Sequence, residues 1–304
     1  MTHTLVLAPQ VRDALHQKRA VVALESTLIT HGLPYPINVE TALAMERAVQ
    51  QAGAVPATIA VIRGVITVGI TPDEIERLGQ QPAGTVRKCS RRDLAIAVAR
   101  GEDGATTVAG TMLVAHQAGI HVFATGGIGG VHRGHPFDVS ADLTELGRTP
   151  VAVVCSGAKS ILDLPLTLEV LETQGVPVIG YQTDTLPAFY TRSSGLALSL
   201  CVESAKEAAD IIHAQHELGI QSGMLFTVPV PVDEALSDAE AEAAIIQATQ
   251  EAAEQSIHGA RVTPFVLARV AELTAGTSRR ANIALLENNA RVAGEISAAL
   301  AALR

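Results

Sequence analysis

Lys159 lies just after a short run of small and β-branched apolar residues, 151–154, which predicts a buried strand. Ser156 and Gly157 end that strand, and Ser160 is placed to cap a following helix. Residues between a strand and a helix commonly face a ligand in α/β proteins. A helix N-terminus and an apolar environment both disfavour a protonated amine, so Lys159 is a candidate nucleophile toward a carbonyl carbon. Phosphate binding or an ion pair is the alternative role for this lysine.

Glu25 follows another apolar run, 21–24, which predicts a second buried strand. Because the carboxyl ends of parallel strands meet at one edge of a sheet, we expect Glu25 near Lys159. The alternative is that Glu25 caps a helix or pairs with a surface cation.

Two segments have the composition of an anion site. Lys88 is followed by Arg91 and Arg92, and the segment 104–111 carries glycines and hydroxyl side chains at a predicted helix start. Backbone N–H groups at such a start bind phosphate, although the segment lacks the P-loop pattern. The alternative for the first segment is a surface helix capped by Ser90.

A glycine-rich segment, 126–134, follows the predicted strand 122–125. The dinucleotide-binding pattern GxGxxG fails here, because its sixth position, counted from Gly127, is His132. This disfavours a nicotinamide-dependent oxidoreductase and predicts a flexible active-site loop.

Carboxylates follow this loop at Asp138, Asp142 and Glu145, close to His132 and His135. Such a group is suited to a hard divalent cation. The alternative is that Ser140 caps a helix and Glu145 is solvated. The two histidines would suit zinc only with further ligands.

Predicted strands and predicted helices alternate along the chain, and this order is typical of layered α/β folds. These elements must position the candidate residues. A hairpin is predicted with strands 58–62 and 65–69, and Asn38 is placed to cap a helix that ends near Gln51. Asparagines in the last apolar helix, Asn282 and Asn289 among them, need partners or face a ligand. No linker or repeat interrupts residues 1–304, which we expect to form a single α/β catalytic domain.

Composition narrows the function. The chain has 304 residues, 48% hydrophobic, and a net charge of −9, with no basic run longer than two residues. This argues against nucleic-acid and membrane partners and leaves a small anionic substrate. Three scattered cysteines without a CxxC predict a reducing, cytoplasmic location. Neither a signal peptide nor an apolar stretch long enough to span a bilayer is expected.

Seven stretches together resemble the pseudouridine-5′-phosphate glycosidase family, also called the indigoidine synthase A family. They are ALEST (23–27), GAVPATIA (53–60), SRRDL (90–94), GATTV (104–108), FATGGIGGVHRG (123–134), SGAKSILD (156–163) and ANIAL (281–285). The resemblance extends from about residue 21 to about residue 289, and the joint occurrence in this order is specific. A departure at Thr227, Val228 and Pro229, where the family often has Asn-Pro, and another at Cys89 lie outside the catalytic set.

The resemblance implies a three-layer α/β/α fold with a central mixed sheet, a homotrimer, one Mn²⁺ ion per subunit, and reversible cleavage of pseudouridine 5′-phosphate to uracil and ribose 5-phosphate. It further implies a role for each of the following residues: Lys159 as the Schiff-base nucleophile, Glu25 as the proton donor, Lys88, Thr107, Val108, Ser140, Ala141, Asp142 and Asn282 as substrate-binding residues, and Asp138 as the metal ligand.

These residue types suit the implied reaction, in which the bond joins two carbons and has no heteroatom leaving group. A pair of carboxylates is poorly suited to that bond, whereas an amine adduct at C1′ supplies an electron sink. Two alternatives remain open. One is an aldolase-like Schiff-base lyase acting on another sugar phosphate, and the other is a metabolite-binding oligomer without catalysis.

Overall fold

A mixed sheet of eleven strands forms the centre of the protein, with helices on both sides. The computed structural model describes residues 5–257 and 262–303. Fourteen strands are described, of which β8, β9 and β11 form a separate three-stranded sheet. They are β1 Leu5–Leu7, β2 Val21–Leu24, β3 Val55–Ile62, β4 Val65–Val68, β5 Arg87–Cys89, β6 Gly104–Thr106, β7 Val122–Ala124, β8 Val131–His132, β9 His135–Val139, β10 Ala152–Cys155, β11 Leu162–Asp163, β12 Val178–Tyr181, β13 Cys201–Val202 and β14 Met224–Thr227. The expected three-layer fold with a central mixed sheet is confirmed.

Eleven α-helices are described. They are α1 Pro9–His16, α2 Ile37–Gln51, α3 Pro72–Gly79, α4 Arg91–Arg100, α5 Val108–Ala118, α6 Ala141–Leu146, α7 Leu164–Thr173, α8 Ala205–Glu217, α9 Asp238–Glu254, α10 Val262–Leu273 and α11 Thr277–Ala301. A π-helical turn, Leu28–Gly32, and a 3₁₀ turn, Val232–Glu234, supplement them. Across the described ranges, no helix has the length and apolar character needed to cross a membrane.

The strands of the main sheet run in the order β1-β4-β3-β2-β7-β10-β14-β12-β13, and β5 and β6 join it through β3. Strands β2, β7, β10 and β14 pair in parallel with their neighbours, apolar along their length and fully buried. Helices on both faces bury such strands, which explains why their sequences do not alternate. Their carboxyl ends consequently meet at one edge of the sheet.

The predicted hairpin is present, with β3 and β4 antiparallel and Ile62 opposite Val65. Arg63 and Gly64 form its two-residue turn, both with positive φ, the backbone geometry that such turns require. The predicted helix cap at Asn38 is wrong. This residue lies inside α2, where its side-chain amide donates to the carbonyl oxygens of Ile29 and Gly79.

Ser160 does not cap a helix either. Helix α7 begins at Leu164, and the Asp163 carboxylate accepts the N–H of Leu166 as its cap. The Ser160 hydroxyl is buried, without a hydrogen-bond partner in the described ranges. Lys159 therefore lies in an irregular segment between β10 and β11 and not at the start of helix α7.

Candidate active site

Two adjoining chambers open at the carboxyl ends of β2, β7 and β10. The first chamber, of about 170 Å³, is lined by nine predicted site residues, namely Glu25, Lys88, Thr107, Val108, Ser140, Ala141, Asp142 and Lys159 together with the loop histidine His132. The second chamber, of about 70 Å³, is lined by Glu25, Lys88, Lys159, Asn282, Phe189 and Leu286 among others. Glu25, Lys88 and Lys159 line both chambers, so the sheet edge brings these three residues together.

Glu25 extends from the end of β2 between two threonine hydroxyls. Thr125, at the end of β7, donates a hydrogen bond to Glu25 Oε1. Thr27 Oγ1 lies 2.8 Å from Glu25 Oε2. The alternative role of Glu25 as a helix cap or a partner of a surface cation is not what the structure shows, because both carboxyl oxygens are held by hydroxyl groups at the chamber wall.

Lys159 is held through its backbone by the glycine-rich segment. Its N–H donates to the Ile128 carbonyl oxygen at 3.1 Å, and the Ile128 N–H donates to Gly157 at 3.1 Å. On its other side, the Arg133 guanidinium donates to the carbonyl oxygens of Ser160 and Leu162 at 3.0 and 3.1 Å. The segment 126–134 thus acts as a support for the lysine, which agrees with the predicted active-site loop.

Lys88 lies on β5 and faces the same space as Lys159. Burial lowers the pKa of Lys88, and the neighbouring charge of Lys159 lowers it further, while Asp142 and Glu25 act in the opposite direction. Two amines therefore line the same chambers, and their positions must distinguish the nucleophile from the other lysine.

The N-termini of α5 and α6 meet in the first chamber. Thr107 caps α5 by accepting the Gly110 N–H, and Ser140 caps α6 by accepting the Asp142 N–H at 3.2 Å. The Val108 N–H has no acceptor in the part of the chain that the structure describes. Free N–H groups at helix N-termini attract anions, so this end of the chamber, with Lys88, is suited to a phosphate group.

Asp142 organises this anion site. Its buried carboxylate accepts the N–H of Ala109 at 3.0 Å and the N–H of Gly129 at 2.8 Å. The carboxylate thereby links α6, the start of α5 and the glycine-rich segment. It positions the groups around the chamber through both of its oxygens.

The expected group of three carboxylates does not converge. Glu145 is fully buried and paired with Arg91 and Arg148, Asp142 binds backbone, and Asp138 lies exposed on β9. No group of three or more histidine, cysteine or acidic side chains in the described ranges is arranged to hold a metal ion. Ser140 caps its helix, as the alternative proposed, but Glu145 is ion-paired rather than solvated.

The arginines after Lys88 do not reach the chambers. Ser90 and Asp93 form a capping box at the start of α4, and Arg92 is exposed beside Asp93. The capped-helix alternative is therefore correct for the arginines, whereas Lys88 itself lies at the site.

The asparagines of α11 divide between the two roles considered for them. Asn282 lines the second chamber. Asn289 is fully buried and donates to the Thr125 carbonyl oxygen at 2.9 Å and to the Ser156 hydroxyl at 3.1 Å. It thus ties the ends of β7 and β10 to each other, next to the strand ends that carry Thr125 and lead to Lys159.

Sequence reasoning missed three residues of the site. Thr27 and Thr125 hold Glu25, and His31, on the π-helical turn, lines the second chamber. Burial lowers the pKa of His31, with the charge of Lys88 as the next cause. Thr27 lies two positions after Glu25, and a search for hydroxyls beside the predicted acid would have identified it.

Comparison with known proteins places the chain in a family. Residues 10–299 match the family model described as indigoidine synthase A like protein. The chain is 54% identical over 299 residues to a pseudouridine-5′-phosphate glycosidase of Geobacillus kaustophilus, covering 98% of this chain and 99% of the relative. It is 54% identical over 295 residues to the protein of the same name in Escherichia coli, covering 96% and 94%.

A solved structure is similar along the full length. The prealnumycin C-glycosynthase AlnA, in complex with ribulose 5-phosphate, superposes with a TM-score of 0.91 at 42% identity, covering 100% of this chain and 99% of AlnA. With matches of this extent in sequence and structure, the chain belongs to the indigoidine synthase A-like family.

Proposed function

We propose that the protein is a pseudouridine-5′-phosphate glycosidase, which cleaves the carbon–carbon glycosidic bond of its substrate to release uracil and ribose 5-phosphate. The observation that carries the proposal is that Lys159 and Glu25 line the same two chambers, one of which ends in an anion site. Relatives of that name are 54% identical over nearly the whole chain. AlnA, whose complex contains a sugar phosphate, supports the substrate class.

In the proposed reaction, the Lys159 amine attacks C1′ of the ribose as the ring C1′–O4′ bond breaks, and O4′ takes up a proton while the nitrogen gives one up. The C1′–C5 bond then breaks, its electron pair remains on uracil, and C5 takes up a proton. As uracil leaves, the nitrogen lone pair forms a C1′=N bond, so C1′ gains from nitrogen the electron pair that it loses to uracil. Water adds to that bond and releases ribose 5-phosphate and the free lysine.

Glu25 is the proposed proton donor, since its carboxyl lines both chambers beside Lys159. Lys88, the Thr107 hydroxyl and the Val108 N–H would bind the 5′-phosphate, and Ser140, Ala141 and Asp142 would contact the substrate in the same chamber. Asn282 is placed to hydrogen-bond the uracil in the second chamber.

We also propose that Asp138 holds one Mn²⁺ ion. An exposed single carboxylate suits a hard cation that keeps most of its ligands as water, but not a cation enclosed by protein ligands. When bound, such an ion supplies positive charge and polarised water near the loop 132–138.

A homotrimer in the cytoplasm completes the proposal. Phe137 on β9 is 100% exposed, an arrangement that supports a contact with another copy. The three cysteines are free thiols, which supports a reducing compartment. Analytical ultracentrifugation measures the assembly.

The test of the function is uracil release from pseudouridine 5′-phosphate by the purified protein with Mn²⁺, followed by chromatography. An aldolase-like lyase acting on another sugar phosphate would form the lysine adduct with ribose 5-phosphate but would neither release uracil nor incorporate it in the reverse direction. A metabolite-binding oligomer would show no turnover in either direction. Absence of both uracil release and reverse synthesis would overturn the proposal.

A further inference from the structure

Thr27 lies between two acceptors, the Glu25 carboxyl group and the backbone carbonyl of Thr106. Its Oγ1 lies 2.8 Å from Glu25 Oε2 and 2.5 Å from Thr106 O. A hydroxyl group has one hydrogen to donate and two lone pairs to accept with, whereas a carbonyl oxygen only accepts. The single hydrogen of Thr27 therefore goes to one of the two neighbours at a time.

Thr27 can form hydrogen bonds to Glu25 and to Thr106 at the same time in only one arrangement of the hydrogens. Thr27 donates to Thr106, and Glu25, carrying its proton, donates to Thr27. When Glu25 is ionised, the Thr27 hydrogen turns toward the carboxylate. The hydroxyl thus offers Glu25 an acceptor in its acid form and a donor in its ionised form.

We propose that Thr27 is a positioning residue for the acid of this site, stabilising the carboxylate as it forms. This inference rests on the proposed function. The Glu25 O–H group turns from Thr27 toward uracil, and as its O–H bond breaks, the proton passes to C5, which holds the electron pair of the broken C1′–C5 bond. The Thr27 hydrogen stays on its own oxygen and only changes its acceptor, so no further proton or electron is required.

The surroundings of Thr27 fit this role. Thr27 precedes the π-helical turn, yet its side chain does not cap it, so the hydroxyl is available to Glu25 and Thr106. Thr106 is itself fixed, because its hydroxyl donates to the Ile59 carbonyl oxygen at 2.8 Å and its N–H to the Ser26 hydroxyl at 2.9 Å. A fixed carbonyl and a reacting carboxyl on either side give the hydroxyl two defined positions.

Other titratable groups line the chambers with Glu25. Lys88 on β5 and Lys159 after β10 line both chambers with it, Asp142 lines the first, and His31 lines the second. None of them shares the short contact that joins Thr27 to the carboxyl, so a change at Thr27 leaves these charges in place.

The experiment compares Thr27→Val, which keeps the shape but has no hydroxyl, with Thr27→Ser, which keeps the hydroxyl. The matched control is Thr58→Val, since Thr58 Oγ1 donates to the Glu46 carboxyl at 2.5 Å outside the chambers. Each protein is assayed for kcat, KM, the pH profile of kcat, and the solvent deuterium isotope effect on kcat, alongside a melting curve.

We expect Thr27→Val to lower kcat by about 10- to 100-fold, the range for a lost hydrogen bond to a charged group, with KM little changed. Its solvent isotope effect should increase, because proton transfer becomes slower than the other steps. Thr27→Ser should have a kcat and a solvent isotope effect close to those of the wild type, and so should Thr58→Val. A merely structural role would lower the melting temperature without changing the isotope effect.

Failure of this inference differs from failure of the proposed function. If the wild type releases no uracil, the proposed function and the role of Thr27 are both wrong. If the wild type turns over and Thr27→Val keeps its kcat and isotope effect, only the role of Thr27 is wrong. Should Thr27→Val not fold, Thr27→Ala and Thr27→Cys take its place, with the same expected loss and the same contradicting result.

Discussion

Arg91 forms a two-point ion pair with the fully buried carboxylate of Glu145, with Nε–Oε2 at 2.7 Å and Nη2–Oε1 at 2.5 Å. Arg91 is the first residue of α4, directly after the strand that carries Lys88, and Glu145 lies on α6. The pair therefore fixes the two walls of the anion site relative to each other.

Replacing Arg91 with alanine should lower the free energy of unfolding by about 1.5–3 kcal/mol, the range for a hydrogen bond to a charged group, because the buried Glu145 carboxylate loses one of its two arginine partners. Arg92→Ala is the control, since that side chain is 89% exposed. Urea unfolding monitored by circular dichroism measures both. Equal stability of Arg91→Ala and Arg92→Ala would contradict the role of the pair.

The same pair predicts a pH dependence of stability. Burial raises the pKa of Glu145, but hydrogen bonds from Arg91, Thr149 and Arg148 outweigh it, and the net pKa lies below the ordinary value of 4.5. A depressed folded-state pKa contributes stability above the unfolded pKa, which is lost as pH falls through the folded pKa. Glu145→Gln should therefore be less stable than the wild type at pH 7 and approach it in acid, in unfolding curves recorded from pH 3 to 7.

Glu25→Gln should slow glycosidic cleavage by about 10²- to 10⁴-fold, the usual contribution of a general acid, because the amide cannot donate that proton. Ribose 5-phosphate should still bind, since the lysines and the anion site are intact. Glu46→Gln is the matched control, a carboxyl bonded to a threonine outside the chambers. Near-normal turnover of Glu25→Gln, with a normal melting curve, would show that the carboxyl has a structural role.

Borohydride reduction in the presence of ribose 5-phosphate should attach a sugar phosphate to the peptide that carries Lys159. Lys88 is the competing amine, because burial and the charge of Lys159 lower its pKa. Peptide mass spectrometry of the wild type, Lys88→Arg and Lys159→Arg distinguishes the two lysines. We expect the adduct in the first two and none in the third, whereas an adduct on Lys88 would overturn the assignment.

Lys88→Ala should lower kcat/KM for pseudouridine 5′-phosphate by about 10- to 100-fold, the equivalent of one charge-assisted hydrogen bond. The kcat/KM for pseudouridine, which has no phosphate, should change little. The ratio of the two kcat/KM values should therefore fall. Because its lowered pKa makes Lys88 neutral at a lower pH than an ordinary lysine, KM for the phosphate should rise earlier on the alkaline side. Lys206→Ala, at an exposed helix position, is the control. Equal kcat/KM values of the wild type for pseudouridine and for its 5′-phosphate would refute a phosphate site.

Chelation should abolish activity and Mn²⁺ should restore it, if a hydrated ion at Asp138 is required. Asp138→Asn should bind less manganese, as measured by metal analysis of the dialysed protein, while Asp73→Asn, at an exposed position of α3, should bind as the wild type does. Full metal content and full activity in Asp138→Asn would show that Asp138 is not the ligand.

Much of the architecture could be predicted from local sequence, because it depends on interactions between near neighbours. The hairpin at Arg63 and Gly64, the capping box at Ser90 and the buried strand before Lys159 were each visible in a few residues. Family motifs added the fold and the set of residues that line the chambers.

Tertiary structure decided which side chains share a partner. The Asp142 carboxylate binds the N–H groups of Ala109 and Gly129, 33 and 13 positions away, and Asn289 reaches Thr125 across 164 positions. Ser160 had the sequence of a cap, but the chain continues past it into β11, and Asp163 begins the helix instead. Local sequence predicts a helix cap at Ser160 and a cation ligand at Asp142. Long-range contacts, which a local pattern does not contain, decide what each residue does.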